Sequence, residues 1–419
     1  MLFGTSKRVI TPPLPVRLAG YASRKDCFET VDEDIYVRVH IQQTAKAQLV
    51  FLYGDLIWWN TQFTDNARNR LQKELGLDAR NLFFTASHNH SGPGTGNCFI
   101  PQLEQADEAY TEFLLEQVVA AVKEALQNLE EVTVWRFDGY SEMNVFRRVK
   151  LGDSIEMRPN FRVPSDQNLT LLAFLRADGE MKGIVVHYAC HANISGENTV
   201  QPDYPGIVLR LLDLEYPGCV SMFWQGCTGD LRPRNILGSH FAPGDYEKAK
   251  LFAQDFVEDC RRVLSQSGKK VSERLSVQTE ELPLPLDNCK TKEQLQECLI
   301  SHDEIQRVWA LKVLEKDNPK WEKLRIKYVK YGAELAVYFF GAEMTQEYAA
   351  FSRKVNPAAI CTCYTDGMIG YVCTKQQIAE GGYEPSGSAR YFALSGKFSG
   401  SVENRIKNKL EEMEEHDRR

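Results

Sequence analysis

Residues 81–94 read NLFFTASHNHSGPG, and this stretch narrows the possible folds more than any other. Residues 82–86 are apolar, β-branched or aromatic, with polar residues before them and glycine and proline after. That pattern predicts a short buried strand. The strand runs into His88-Asn89-His90, and Ser91-Gly92-Pro93-Gly94 then turns the chain. On extended backbone, side chains two apart share a side, so His88 and His90 can face one cavity at a strand end. In α/β folds the crevice beyond the carboxyl ends of the strands is where ligands bind. Imidazole is the commonest metal ligand and the usual proton carrier near neutral pH. Two polar residues capping a loop is the plainer reading, and partners elsewhere in the chain must decide between the two.

The chain of 419 residues, 43% apolar and 26% charged, has the makings of a soluble globular protein with a substantial core. A net charge of −7 leaves no basic footprint for nucleic acid. No apolar run approaches the roughly 20 residues that span a bilayer. The opening MLFGTSKRVITPP lacks the apolar core of a signal peptide. The 11 cysteines are odd in number, and Cys190, Cys219, Cys361, Cys363 and Cys373 sit in apolar runs. Both features fit a reduced, cytoplasmic protein, with Cys361-x-Cys363 read as core thiols of a strand. The expected partner is a small-molecule substrate, without nucleic acid and without integral membrane association.

Strands are predicted at 48–53, 82–86, 131–137, 169–175, 181–188, 219–224, 334–340 and 358–364. Helices are predicted at 61–76, 106–129, from Asp203 onward, at 245–264, and from 398 to the end. The charged stretch 291–330 reads as helical, with Leu295, Leu299, Ile305, Val308, Trp309 and Leu311 on its apolar side. Residues 285–330 are therefore expected to form a helical insertion outside or over the site. No repeat is visible in the sequence. The expected fold class is α/β, with mixed β-sheets flanked by helices in a single compact catalytic domain of residues 1–419.

Chemistry-bearing residues cluster at predicted strand ends. His191 closes the 181–188 strand, whereas His187 lies inside it and reads as a core residue. Gly226, Gly229 and Asp230 follow the 219–224 strand and are candidate substrate-binding positions. Backbone N–H groups there could meet a substrate oxygen, or the segment could be a plain turn. Arg147 and Arg148 could clamp an anionic or carbonyl oxygen, or form a solvated basic turn. Glu343 follows the 334–340 strand as the histidines follow theirs.

Six motifs occur in one order: Ile10-Thr11-Pro12-Pro13 with Ala19-Gly20-Tyr21; Ser87-His88-Asn89-His90-Ser91-Gly92-Pro93-Gly94; His191-Ala192; Gln225-Gly226 with Gly229-Asp230; Gly341-Ala342-Glu343; and Gly370-Tyr371-Val372 with Gly382-Tyr383-Glu384. Together they resemble the catalytic domain of the neutral/alkaline non-lysosomal ceramidase superfamily. The resemblance implies a zinc amidohydrolase with the metal on His88, His191, Glu343 and Tyr371. It implies His90 as proton carrier or hydrogen-bond donor, Tyr383 on the oxyanion, and one of Arg147 and Arg148 on the substrate, the sequence leaving open which. Arg232 stands where the family's ceramidases carry serine, so the pocket is expected to suit a polar or anionic substrate. The family's C-terminal β-sandwich domain is not expected here. The expected activity is hydrolysis of a C–N amide bond by zinc-activated water. The alternatives are an ester, lactone or phosphoester hydrolase at the same site, and a metal-stabilised binding protein without catalysis.

Overall fold

The structure, a computed structural model, describes residues 1–418, with side chains through residue 417. Its first sheet holds β1 (Leu2–Val9), β2 (Tyr36–Gln43), β3 (Gln48–Gly54) and β4 (Leu82–Ala86), in the order β4-β3-β2-β1, with Glu130–Glu131 at the edge. The first three strands run antiparallel; α1 (Thr61–Leu75) then crosses over, and β4 returns parallel to β3. All five residues of β4 are buried, as befits a strand covered on both faces. Gly76, in the left-handed region at φ 68°, ends α1 by returning its N–H to Gln72. Helix α2 (Glu108–Gln127) packs across β1 and β2.

The same unit recurs twice. Strands β5 (Thr133–Tyr140), β6 (Asn168–Leu175) and β7 (Met181–Tyr188) run antiparallel, α3 (Asp203–Glu215) crosses over, and β8 (Val220–Gln225) lies parallel to β7. Helix α4 (Tyr246–Leu264) packs on α3. Strands β9 (Leu275–Asp287), β10 (Trp321–Tyr331) and β11 (Leu335–Phe340) form the third meander. Between β9 and β10 stand α5 (Lys292–Cys298) and α6 (Glu304–Glu315). Helix α7 (Gln346–Val355) then crosses, and β12 (Ala359–Thr362) joins parallel to β11. Helices α8 (Lys375–Glu380) and α9 (Val402–Arg418) complete the chain. This threefold topology leaves no trace in the residue pattern and corrects the expectation of no repeat.

The three sheets meet on aromatic rings. Phe51 of β3 lies 5.3 Å from Trp224 of β8 and 5.8 Å from Phe339 of β11, and Trp224 lies 5.3 Å from Phe339, centroid to centroid. Tilted and edge-on contacts of this kind add to the area they bury. The segments that directly follow β4, β8 and β11 carry the polar motifs.

The helical reading of 291–330 holds only for α5 and α6. Residues 321–331 are strand β10, with Leu324, Ile326 and Tyr328 buried at every second position between charged residues. A period of two outweighs the helix-forming composition there. Leu299 and Leu311, placed on the apolar side, are 36% and 48% exposed. Trp309 is buried, and its indole N–H donates to Leu394 O at 2.7 Å. Among the described residues, no helix is long and apolar enough to cross a membrane.

Candidate metal centre

Each repeat delivers one part of the centre. After β4 the chain bends so that His88 sits at φ 64°. The pleat argument for His88 and His90 therefore fails locally: the pair is brought together by a left-handed residue, not by extended backbone. The bend is held from three sides. Ser87 N–H donates to Gly54 O at 3.2 Å, Asn89 N–H to Leu56 O at 3.0 Å, and His90 N–H to Ala192 O at 3.2 Å. The last bond ties the first repeat to the His191 segment beyond β7. Glu343, two residues past the Gly341 that follows β11, pairs in parallel register with Tyr371.

His88, His90 and His191 are buried, with ring nitrogens within 4.8 Å of one another. His88 Nδ1 lies 3.1 Å from Ile57 O, and His191 Nδ1 lies 3.2 Å from Thr228 O. A carbonyl only accepts, so both Nδ1 atoms carry the hydrogen and both Nε2 atoms present bare lone pairs. Those two Nε2 atoms stand 3.0 Å apart. Glu343 closes the cluster, with Oε2 at 3.5 Å from His88 Nε2 and Oε1 at 3.3 Å from His191 Nε2. Glu343 Oε1 is buried without a hydrogen-bond donor. Burial pushes the His88 imidazolium pKa down to about 3 and the Glu343 carboxyl up to about 8. Two lone pairs and a carboxyl converge on one point away from water, and once Glu343 gives up its proton a cation among them offsets their repulsion. The donor set, with backbone carbonyls fixing both imidazoles from behind, fits a metal ion.

His90 differs from the other two. Its Nε2 lies 3.3 Å from His88 Nε2, but its Nδ1 is buried with no partner. Tyr21 packs on its ring at 4.9 Å. Gly20, at φ 97°, approaches so closely that a Cβ there would stand 2.5 Å from His90 Nδ1. No carbonyl fixes its tautomer.

The arginine pair divides. Arg147 Nε donates to Glu384 Oε1 at 2.8 Å, its Nη1 comes within 3.5 Å of His191 Nε2, and its Nη2 is buried without an acceptor. Arg148 turns to the other oxygen of Glu384 and to Gly381 O, the latter at 2.9 Å. Arg147 therefore faces the centre, and Arg148 braces the turn that carries Tyr383. The Tyr371 and Tyr383 rings lie 5.6 Å apart, and Tyr383 is 38% exposed at the edge of the site. Arg232, on the short strand Leu231–Pro233, registers with Val145 beside that arginine pair.

Gly226, Gly229 and Asp230 do not present free groups to a substrate, contrary to expectation. Gly226 N–H donates to Tyr188 O at 2.8 Å and Gly229 N–H to Met344 O at 2.9 Å. Asp230 accepts from Gln346 N–H at 2.9 Å and Gln377 Nε2 at 2.7 Å. Gly226 packs the end of β8 against the end of β7, where a Cβ would stand 2.8 Å from Ala189 Cβ, while Gly229 and Asp230 tie the second repeat to the segments that follow β11. His187 is a core residue donating to Cys361 O at 2.8 Å. Two buried site residues escape sequence reading. Tyr364 stacks on His88 at 4.1 Å with its hydroxyl against Thr228 Oγ1, and Glu384 holds both arginines. A Glu directly after the Gly-Gly-Tyr turn was the one available signal for Glu384.

Residues 1–250 match the family described as neutral/alkaline non-lysosomal ceramidase, N-terminal. The neutral ceramidase of Pseudomonas aeruginosa superposes with a TM-score of 0.79 at 18% identity, over 99% of this chain and 74% of that one. A second structure, a ceramidase complexed with C2, gives a TM-score of 0.76 at 15% identity, over 99% and 74% of the two chains. At these identities the likeness is one of fold. No curated protein sequence matches this chain.

Proposed function

This chain belongs to the neutral/alkaline non-lysosomal ceramidase family, and from that membership we propose that it is a zinc-dependent hydrolase of the C–N amide bond of a small polar or anionic molecule. The observation that carries the proposal is the pair of bare Nε2 atoms 3.0 Å apart, facing a buried carboxylate. His88, His191 and Glu343, with the phenol of Tyr371, would hold the ion. When bound, zinc lowers the pKa of water toward neutrality and polarises a carbonyl.

The chain's own groups supply the rest. In the reaction the water oxygen joins the carbonyl carbon, the C–N bond breaks, and a proton reaches the departing nitrogen. His90 is placed to carry that proton, since neither carbonyl nor carboxylate locks its tautomer. Arg147 offers its unpaired Nη2, and Tyr383 its phenol, to the developing oxyanion. Glu384 holds Arg147 in place, so that little reorganisation is needed as charge develops. A cytoplasmic setting, with the 11 cysteines as free thiols, is part of the same proposal.

Parallel panels of amides, esters and phosphoesters test this reading. Turnover of amides is expected, and His88→Ala is expected to reduce it to the uncatalysed rate. Phosphoester turnover without amide turnover, or full activity in His88→Ala, would overturn it.

A further inference from the structure

Four arginines converge on the centre, and three of them donate to carboxylate or carbonyl oxygens. Arg24 donates to the carbonyls of His90 and Glu197, the latter at 2.5 Å. Arg147 and Arg148 share Glu384. Arg232 is different: among the described residues its side chain makes no ion pair and donates to no oxygen, and its Nε, like that of Arg24 and Arg148, is buried without a partner. Its guanidinium carbon lies over the Phe241 ring, 4.7 Å from the centroid, and its Nη1 reaches only the sulfur of Met157 at 3.7 Å.

Burial pushes the Arg232 pKa down, Tyr21 pulls it back up, and the nearby Arg147 charge lowers it further. The same guanidinium lowers the pKa of His90 and of His191. Arg232 therefore lies within electrostatic reach of the metal centre. Its backbone is held in a strand pair. Arg232 registers with Val145 in the antiparallel pair of Leu231–Pro233 with Asn144–Phe146, and Arg147 N–H donates to Asp230 O at 2.9 Å. A guanidinium held by an aromatic face and a thioether, with no internal acceptor, is a pre-positioned anion site. Arg232 is half-buried, so its donors keep some access to water, and a charge-assisted bond to an oxyanion there is stronger than one in open solvent.

We propose that Arg232 is a specificity-determining residue that binds a carboxylate on the substrate, so that the molecules hydrolysed are amides bearing a free carboxylate. The proposal rests on the hydrolase reading above and names its substrate class. Such a carboxylate can stand on the amine side, as in an N-acyl amino acid, or on the acyl side, as in an N-alkylsuccinamate. Both offer the planar pair of oxygens that the guanidinium fork matches.

The test measures binding and turnover for matched pairs: N-acylglycines against N-acylglycinamides, and N-alkylsuccinamates against N-alkylsuccinamides. Purified whole protein is used, with calorimetry for affinity. The carboxylate member of at least one pair is expected to bind on the order of 30-fold or more tightly than its neutral partner. Arg232→Gln is expected to bring that ratio close to one, and Arg232→Lys to restore part of it. A thermal melt of each variant checks folding, and the ratio is compared only in variants that melt like the parent; Arg232→Lys keeps the test decisive if the glutamine variant does not. A ratio near one in the parent, or a ratio unmoved by Arg232→Gln, overturns the proposal. Neutral amide turnover with an unmoved ratio overturns it while leaving the hydrolase reading standing. Carboxylate selectivity lost in Arg232→Gln without turnover of any amide upholds the Arg232 site and overturns the hydrolase reading.

Discussion

Glu384→Ala is expected to destabilise the protein by about 3–5 kcal/mol, the cost of leaving a buried cation without its partner. The carboxylate is 3% exposed and takes Arg147 on one oxygen and Arg148 on the other. Arg148 keeps Glu380 Oε2 at 3.3 Å, but among the described residues Arg147 has no second carboxylate in ion-pair range. Most of the loss therefore falls on Arg147, which is 1% exposed. Chemical denaturation measures it, as a lower midpoint at an unchanged slope. A change below about 1 kcal/mol would mean that the pair contributes no more than a surface ion pair. Glu384→Gln keeps the shape and loses the charge, so its effect separates electrostatics from packing.

His90→Gln is expected to lower kcat by about 10²–10⁴-fold, the range for loss of a positioned proton carrier, while bound metal is retained. The grounds are geometric. His88 and His191 each give Nδ1–H to a carbonyl, the arrangement that orients a ligand imidazole. His90 has no such anchor. Joint loss of metal and activity in His90→Gln would instead make His90 a third imidazole ligand, an arrangement that the 4.8 Å grouping of the three rings permits.

Much of this site was legible in the chain because each part follows a strand whose apolar run is easy to read. His88, His191 and Glu343 follow β4, β7 and β11, so strand-end position made them candidates, and the family resemblance grouped them as ligands. The structure brings these three together by repeating one topology, and the repeated strands share no residue pattern, so sequence reading could not find the repeat. Tyr364 was missed because it follows Cys361-Thr362-Cys363 as one more apolar residue. Only its left-handed φ of 53° turns it toward His88. The glycines after β8 were read as close approach to a substrate, and the close approach is real. What they approach is Ala189 of the same repeat and Met344 of the next. Strand β10 was misread because its charged residues, taken one by one, favour a helix, while the alternation of Leu324, Ile326 and Tyr328 decides the matter in the fold.

The most direct test of the centre is elemental mass spectrometry of the purified protein beside Glu343→Ala, each after exposure to zinc and removal of free ion. About one zinc per chain in the parent, consistent with a single structural or catalytic zinc site, and its loss in the variant is the predicted result. Absence of metal from both, or full retention in Glu343→Ala, would contradict the assignment of these histidines and this glutamate to a metal centre.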